Sequence, residues 1–237
     1  LWWLWYCKMM DITKWAEDLT EEVYNEWKTK YSFWKPGFAV FYSPVRERPE
    51  LMIISLNPGG GEKDFQVDVD DSAYPKFQDG NFSLPPKNRY LITKYRFAKK
   101  VRMLFEGNED ILKTSVVITV LLFRSQKIDY WEKNNPEETR LPMERFAYDK
   151  VQEIMKKVKP KKVLVIGVDA YNRLRKNIIK IENENIVEKT TIGRIIIAKA
   201  DQIDIFVIPH LTGTRVSDKN MEKMKKLFAD FIASNGC

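Results

Sequence analysis

LMIISLNPGGG, residues 51–61, decides how the rest of the chain reads. Its first six residues, 51–56, are apolar apart from Ser55 and include the β-branched pair Ile53-Ile54. A run this short predicts a buried central strand rather than a helix. It stops at Asn57-Pro58, where the proline holds its predecessor extended and cannot continue a ladder. Gly59, Gly60 and Gly61 follow, residues that tolerate positive φ and let another molecule approach the backbone. In an open α/β sheet, ligands bind beyond the carboxyl ends of the strands, which places Asn57 at the edge of a site. Taken alone, the stretch is equally an ordinary strand-to-loop turn.

Outward from it, alternating strands and helices are expected. Upstream, 11–31 reads as a helix with Asp11 as N-cap and Trp15, Leu19, Val23, Trp27 and Tyr31 on one face, and 38–42 as a short edge strand. Downstream comes a polar stretch, 62–87, with three prolines and the acids Asp64, Asp68, Asp70 and Asp71. Loops of this length are functional or disordered. The acids lack the spacing of a calcium loop, so a solvated loop is the expectation over a metal site. Phe65, Tyr74, Phe77 and Phe82 offer either loop anchors or a stacking platform above the strand end.

Residues 91–105 read as a helix stopped by Gly107, and SVVITVLLF (115–123) as the second buried strand. Pro142 is expected in the first turn of the next helix, where its missing N–H costs nothing. Lys159-Pro160 ends that helix, KVLVIG (162–167) is the third strand, and Asp169 caps another helix. Runs 192–200 and 202–209 read as hairpin-related, the second being the fourth core strand. Ser217 caps the last helix. This alternation predicts an α/β fold with a central, mostly parallel four-stranded sheet and helices on both faces. Residues 1–50 are expected as a helical extension packed on a main domain, 51–237.

The totals limit the function classes. With 237 residues, 44% hydrophobic and 31% charged, the chain is globular and can bury a full core. A net charge of +7 favours a polyanionic partner without requiring one. Cys7 and Cys237 give neither a disulfide framework nor ligands for a four-cysteine cluster, which suits a cytoplasmic location. The opening LWWLWY is too short to span a bilayer and is read as no export signal. A monomer without membrane attachment is expected.

The only histidine, His210, ends the fourth core strand at a turn flanked by Pro209 and holding Gly213. In a parallel sheet it shares the ligand face with Asn57, and if their strands are neighbours a flat ligand would fit between an amide and an imidazole. At these residues the chain resembles the uracil-DNA glycosylase superfamily, most closely its mismatch-specific uracil/thymine branch. SLNPGG (55–60), PKNRYL (86–91), VKPKKVLVIGVDAY (158–171) and VIPHLTGTRVS (207–217) are similar to that branch's segments in order and spacing, over roughly 51–233.

The resemblance implies a three-layer α/β/α domain and a monofunctional, metal-independent DNA glycosylase that needs no cofactor. It implies that Asn57 positions the attacking water and that His210 donates to a base carbonyl as it gains charge. Ser55, Pro58, Phe82 and Thr119 would meet the base, with Phe82 as the stacked ring. Gly59, Gly60, Thr212 and Gly213 would meet DNA phosphates. Thr214 and Arg215 stand where family members insert a wedge. The family's base-reading Asn is replaced here by Thr119-Val120, whose single hydroxyl cannot reproduce paired amide contacts. Two other readings remain: a module of the same fold that binds DNA or a nucleobase without cleavage, and an α/β protein using GGGEKD (59–64) as a phosphate loop. The latter lacks the Ser/Thr expected after Lys63.

Overall fold

The strand at the centre of the sequence reading is also the one that organises the sheet. In the computed structural model, which describes residues 2–65, 82–191, 193–212 and 216–234 (side chains from Ile12 onward), it is β1, Leu51–Ser55. With β2 (Val116–Thr119), β3 (Lys162–Ile166), β4 (Asn183–Thr190), β5 (Gly193–Ala200) and β6 (Ile203–Ile208) it forms a six-stranded sheet, ordered β2-β1-β3-β6-β5-β4. The first four in that order are parallel, and β5 and β4 extend the sheet antiparallel.

The sheet therefore has six strands, not four. The four parallel ones are the apolar runs read from the sequence. β5 is the first of the two hairpin-related runs. β4, NENIVEKT, gives no apolar signal because it is a solvated edge strand, and edge strands carry charge that discourages further pairing.

Side-chain alternation in β1 sorts the core into two layers. Met52 and Ile54 face a cluster that includes Ile12, Ala16, Leu19, Val23, Val151, Ile154 and Leu174. Leu51 and Ile53 face the other side, with Ala98, Val101, Met224 and Phe228. Helices α1 (Trp2–Glu26), α6 (Glu137–Val158) and α7 (Val168–Asn177) cover the first face. Helices α3 (Arg96–Leu104) and α8 (Asp218–Ala233) cover the second. The upstream segment is thus part of the core: among the described side chains, α1 supplies Ile12, Ala16, Leu19 and Val23, and a π-helical turn, Trp27–Tyr31, leads to Phe38 and Phe41, which bridge to Phe123 and Ile118.

Several helix boundaries differ from the sequence reading. Asp11 is not an N-cap, because α1 begins at Trp2 and runs through it. The 91–105 helix is two helices, α2 (Arg89–Ile92) and α3, parted at Thr93, which is extended. Pro142 lies inside α6, whose N-cap is Pro136, so the first turn is built by Glu137 and Glu138. Asp169 sits in the first turn of α7 but Gly167 is the cap. Two short helices, α4 (Glu109–Thr114) and α5 (Ile128–Asn134), gave no periodic signal because each spans under two turns. Ser217 does cap α8, its hydroxyl accepting from Asn220 N at 3.3 Å. β2 ends at Thr119, but the chain stays paired: Val120 N donates to Ser55 O and Leu121 N to Leu56 O, both at 2.8 Å.

At its far end α8 is fastened to the sheet. Lys162, the buried first residue of β3, donates from Nζ to the carbonyls of Phe231 at 2.6 Å and Ile232 at 2.8 Å, and to Ser234 O. An ammonium there satisfies carbonyls that a helix end leaves open.

Candidate functional site

From β1 the chain turns one way to β2 and then the other way to β3 and β6, so a topological switch lies between β1 and β3. Such a switch opens a crevice beyond the strand ends. A cleft of about 580 Å³ lies there, lined among others by Ser55, Asn57, Gly59, Gly60, Thr119, His210 and Thr212. Asn57 and His210 thus line one cleft. Their strands are not neighbours: β3 stands between them, separating β1 from β6 by about 10 Å. β3 ends in Gly167, held at φ +110°, where a Cβ would lie 3.7 Å from His210 Cδ2. The missing side chain keeps that middle strand end low.

Asn57 is oriented by its neighbours. Its Nδ2 donates to Pro58 O at 3.0 Å and to Ser125 O at 2.7 Å. Both partners are carbonyls, so the amide can face them only with its nitrogen, and Oδ1 keeps its acceptor capacity. The loop after β2 makes this grip. Ser125 N donates to Pro58 O at 2.9 Å, and the buried Arg124 donates from Nη1 to Gly59 O at 2.9 Å and from Nε to Phe38 O at 3.2 Å. Nothing in the sequence pattern singled out Arg124, since its role is to tie two loops far apart in the chain.

His210 is exposed at the rim, and its inner face stacks on Phe97 with ring centroids 5.3 Å apart and 29° between planes. Thr212 N donates to Nδ1 at 3.3 Å. A ring nitrogen that accepts carries no proton, so the neutral ring holds its proton on Nε2 and donates from there. Partial burial depresses the imidazole pKa below its ordinary value, outweighing the Asp169 carboxylate that favours the charged form.

Four aromatic rings share the remaining walls with Asp64, Arg89, Thr93, Arg124 and Gln126. Tyr42, Tyr90, Tyr95 and Phe97 line the cleft, with Tyr42 stacked on Tyr90 at 6.4 Å and the Arg89 guanidinium 5.0 Å above the Tyr42 ring. Tyr90 hydrogen-bonds Ser55, and burial raises its phenol pKa well above the ordinary value. Tyr42 is 6% exposed, and among the described residues its hydroxyl has no hydrogen-bond partner.

Not every expected residue meets the cleft. Phe82 is not the stacked ring: it is 6% exposed and packs against Tyr24 of α1 at 5.3 Å, away from the lining. Phe65 is likewise a core residue, packed on Trp27 and Phe38. Both are drawn inward by the upstream helical segment, whose packing on the main domain was expected but whose contact with these two rings no local motif announces. Phe97 and Tyr95 supply the cleft's rings instead. Pro58 is buried below the lining and contributes its carbonyl to Asn57. Thr119 lines the cleft, but its hydroxyl donates to Leu121 O at 2.7 Å, which leaves it only as an acceptor. Gly213, Thr214 and Arg215, and likewise Asp68, Asp70, Asp71, Tyr74 and Phe77, lie outside the described residues.

The glycine loop closes on its own acid. Gly61 N donates to Asp64 Oδ2 at 2.7 Å, and Gly60, at φ +95°, has its Cα hydrogen side 2.8 Å from Asp64 where a Cβ would be. A carboxylate so placed repels phosphate, which argues against GGGEKD as a phosphate loop and against Gly60 as a phosphate contact. Gly59, with nothing within 4 Å of its Cβ position, remains open.

Among the described residues, no helix is long and apolar enough to cross a membrane. Scanned against protein-family models and curated proteins, the chain matches none.

Proposed function

We propose that the chain is a DNA glycosylase of the uracil-DNA glycosylase type, built as a three-layer α/β/α domain, that hydrolyses the N-glycosidic bond of uracil or a related deaminated base. The reading rests on one observation. Asn57 and His210 line the same cleft, with the Asn57 amide nitrogen held by two carbonyls so that its oxygen keeps acceptor capacity, and with His210 Nδ1 accepting from Thr212 N so that the ring proton lies on Nε2.

That pairing suits the reaction. A base swung out of the helix, at a few kcal/mol, enters the cleft. As the bond to the sugar breaks, positive charge grows on the sugar and negative charge on the departing base. The Asn57 oxygen orients a water toward the sugar carbon. His210 Nε2–H donates to a base carbonyl, a stabilisation worth about 3 kcal/mol. No side-chain nucleophile takes part, and Asn is a weaker base than Asp, so turnover is slow.

The test is release of uracil from a uracil-containing oligonucleotide, scored as alkali-labile sites, by wild type, Asn57→Ala and His210→Ala. Release that is lost in both variants supports the reading, and equal release by all three overturns it. The Thr119 hydroxyl, spent on Leu121 O, favours a second reading, in which the cleft binds DNA or a base without cleavage. Binding of uracil-containing DNA with no abasic product would select it.

A further inference from the structure

Between 86 and 102 the sequence PKNRYLITKYRFAKKVR carries seven Lys/Arg and no Asp/Glu. Some exposed cations elsewhere find acids, as Lys113 does with Asp110 and Lys161 with Glu50, and others such as Lys133, Lys176 and Lys226 find none among the described residues; what sets this segment apart is the run of cations with no acid of its own. Here the side chains of Lys87, Lys94, Arg96, Lys99 and Lys100 have no ion-pair partner among the described residues. Unneutralised charge of one sign beside a cleft attracts a polyanion.

The same segment forms the cleft's rim. Thr93, Tyr95 and Phe97 line the cleft, while Ile92 and Tyr95 are each 44% exposed. The connector between α2 and α3 is held from beneath. Arg102 Nη1 donates to Thr93 O at 2.9 Å and to Tyr90 O, and the Thr93 hydroxyl donates to Arg89 O at 2.6 Å. Tyr95 is therefore presented on a braced turn, with Lys94 and Arg96 on either side of it.

We infer that the 87–100 rim is the surface along which a DNA strand lies, with Lys94, Arg96 and Lys99 meeting phosphates and the Tyr95 ring stacking on a base. The inference rests on the reading of the cleft as one that takes its base from a DNA strand. Cations interleaved with an exposed aromatic are how single strands are gripped without sequence preference. A lipid surface is disfavoured, because Ile92 and Tyr95 are separated by Lys94 and form no contiguous apolar face.

The experiment uses the full chain and fluorescein-labelled, undamaged dT20, with binding followed by anisotropy across a KCl series. Each phosphate contact contributes a slope of about −0.7 in log K against log salt for a single strand. The triple variant Lys94→Gln/Arg96→Gln/Lys99→Gln is expected to flatten the slope by about 2. Tyr95→Ala weakens binding about tenfold while Tyr95→Phe retains it. Lys161→Gln/Lys180→Gln, in the groove at the opposite end of the strands, leaves the slope unchanged.

Thermal melting checks that each variant folds. An unchanged slope in the triple variant, wild-type binding by Tyr95→Ala, tighter binding to rU20 than to dT20, or binding to phosphatidylserine vesicles in place of dT20 overturns the inference. Undamaged dT20 offers no base to excise. Uracil release combined with rim-independent dT20 binding therefore sinks this inference alone, and rim-dependent binding without uracil release sinks only the catalytic reading.

Discussion

His210 and Phe97 stack face to face, 5.3 Å between ring centroids, although 113 residues of chain separate them. The ring is thereby held against the helix that carries the end of the cationic rim, and Thr212 N fixes which of its nitrogens bears the proton. A neutral donor so fixed has a distinct pH signature. Uracil release is expected to stay flat between about pH 6.5 and 8.5, whereas a reaction needing imidazolium would decline as pH rises through the ordinary value. A pH–rate profile distinguishes the two.

Stability carries the same information with its own sign. The folded pKa of His210 lies below the unfolded 6.5, so below that value the unfolded chain binds more protons than the folded one. The contribution is absent at higher pH and becomes destabilising as pH falls from 6.5 to the folded pKa. In denaturant melts, the stability of wild type relative to His210→Asn is expected to fall as pH drops below 6.5, because only the variant escapes the penalty. Parallel curves would argue that the ring is solvated as in the unfolded chain.

Tyr42→Phe removes a buried hydroxyl without a partner among the described residues while keeping the ring between Arg89 and Tyr90. The free protein is expected to gain about 1 kcal/mol, which for this size raises Tm by roughly 2–4 °C. Calorimetry checks it. A loss of stability would mean that the hydroxyl is satisfied in solution.

Gly60→Ala combines a left-handed backbone with a Cβ 2.8 Å from Asp64. It is expected to cost more than about 1 kcal/mol and to displace the acid from Gly61 N. Gly59→Ala, with open space at its Cβ, should stay within about 0.5 kcal/mol of wild type. Similar melts for the two would refute the account of the loop.

What the sequence disclosed follows from range. Four buried parallel strands, the Ser217 cap and the strand-end positions of Asn57 and His210 are local signals, and each stands where its own neighbours put it. Phe82 was misplaced because its environment is set by Tyr24, nearly sixty positions upstream. Strand β4 escaped notice because an exposed edge does not need apolar residues. Arg124, Tyr42 and Phe97 became visible only when distant loops were brought to one place, since no spacing rule joins them to Asn57 or His210.

The grip of two backbone carbonyls on residue 57 also limits what this chain can become. An aspartate there would turn a negative oxygen toward Pro58 O and Ser125 O, where the amide nitrogen now sits. Ionised, it would swing away from those carbonyls and lose the position that the amide holds; kept in place, it would take up a proton and lose its basicity. On the glycosylase reading proposed above, exchanging the amide for a stronger base therefore meets main-chain atoms that no side-chain exchange removes. A carboxylate held in place at 57 would require a rebuilt 124–127 loop together with the new acid.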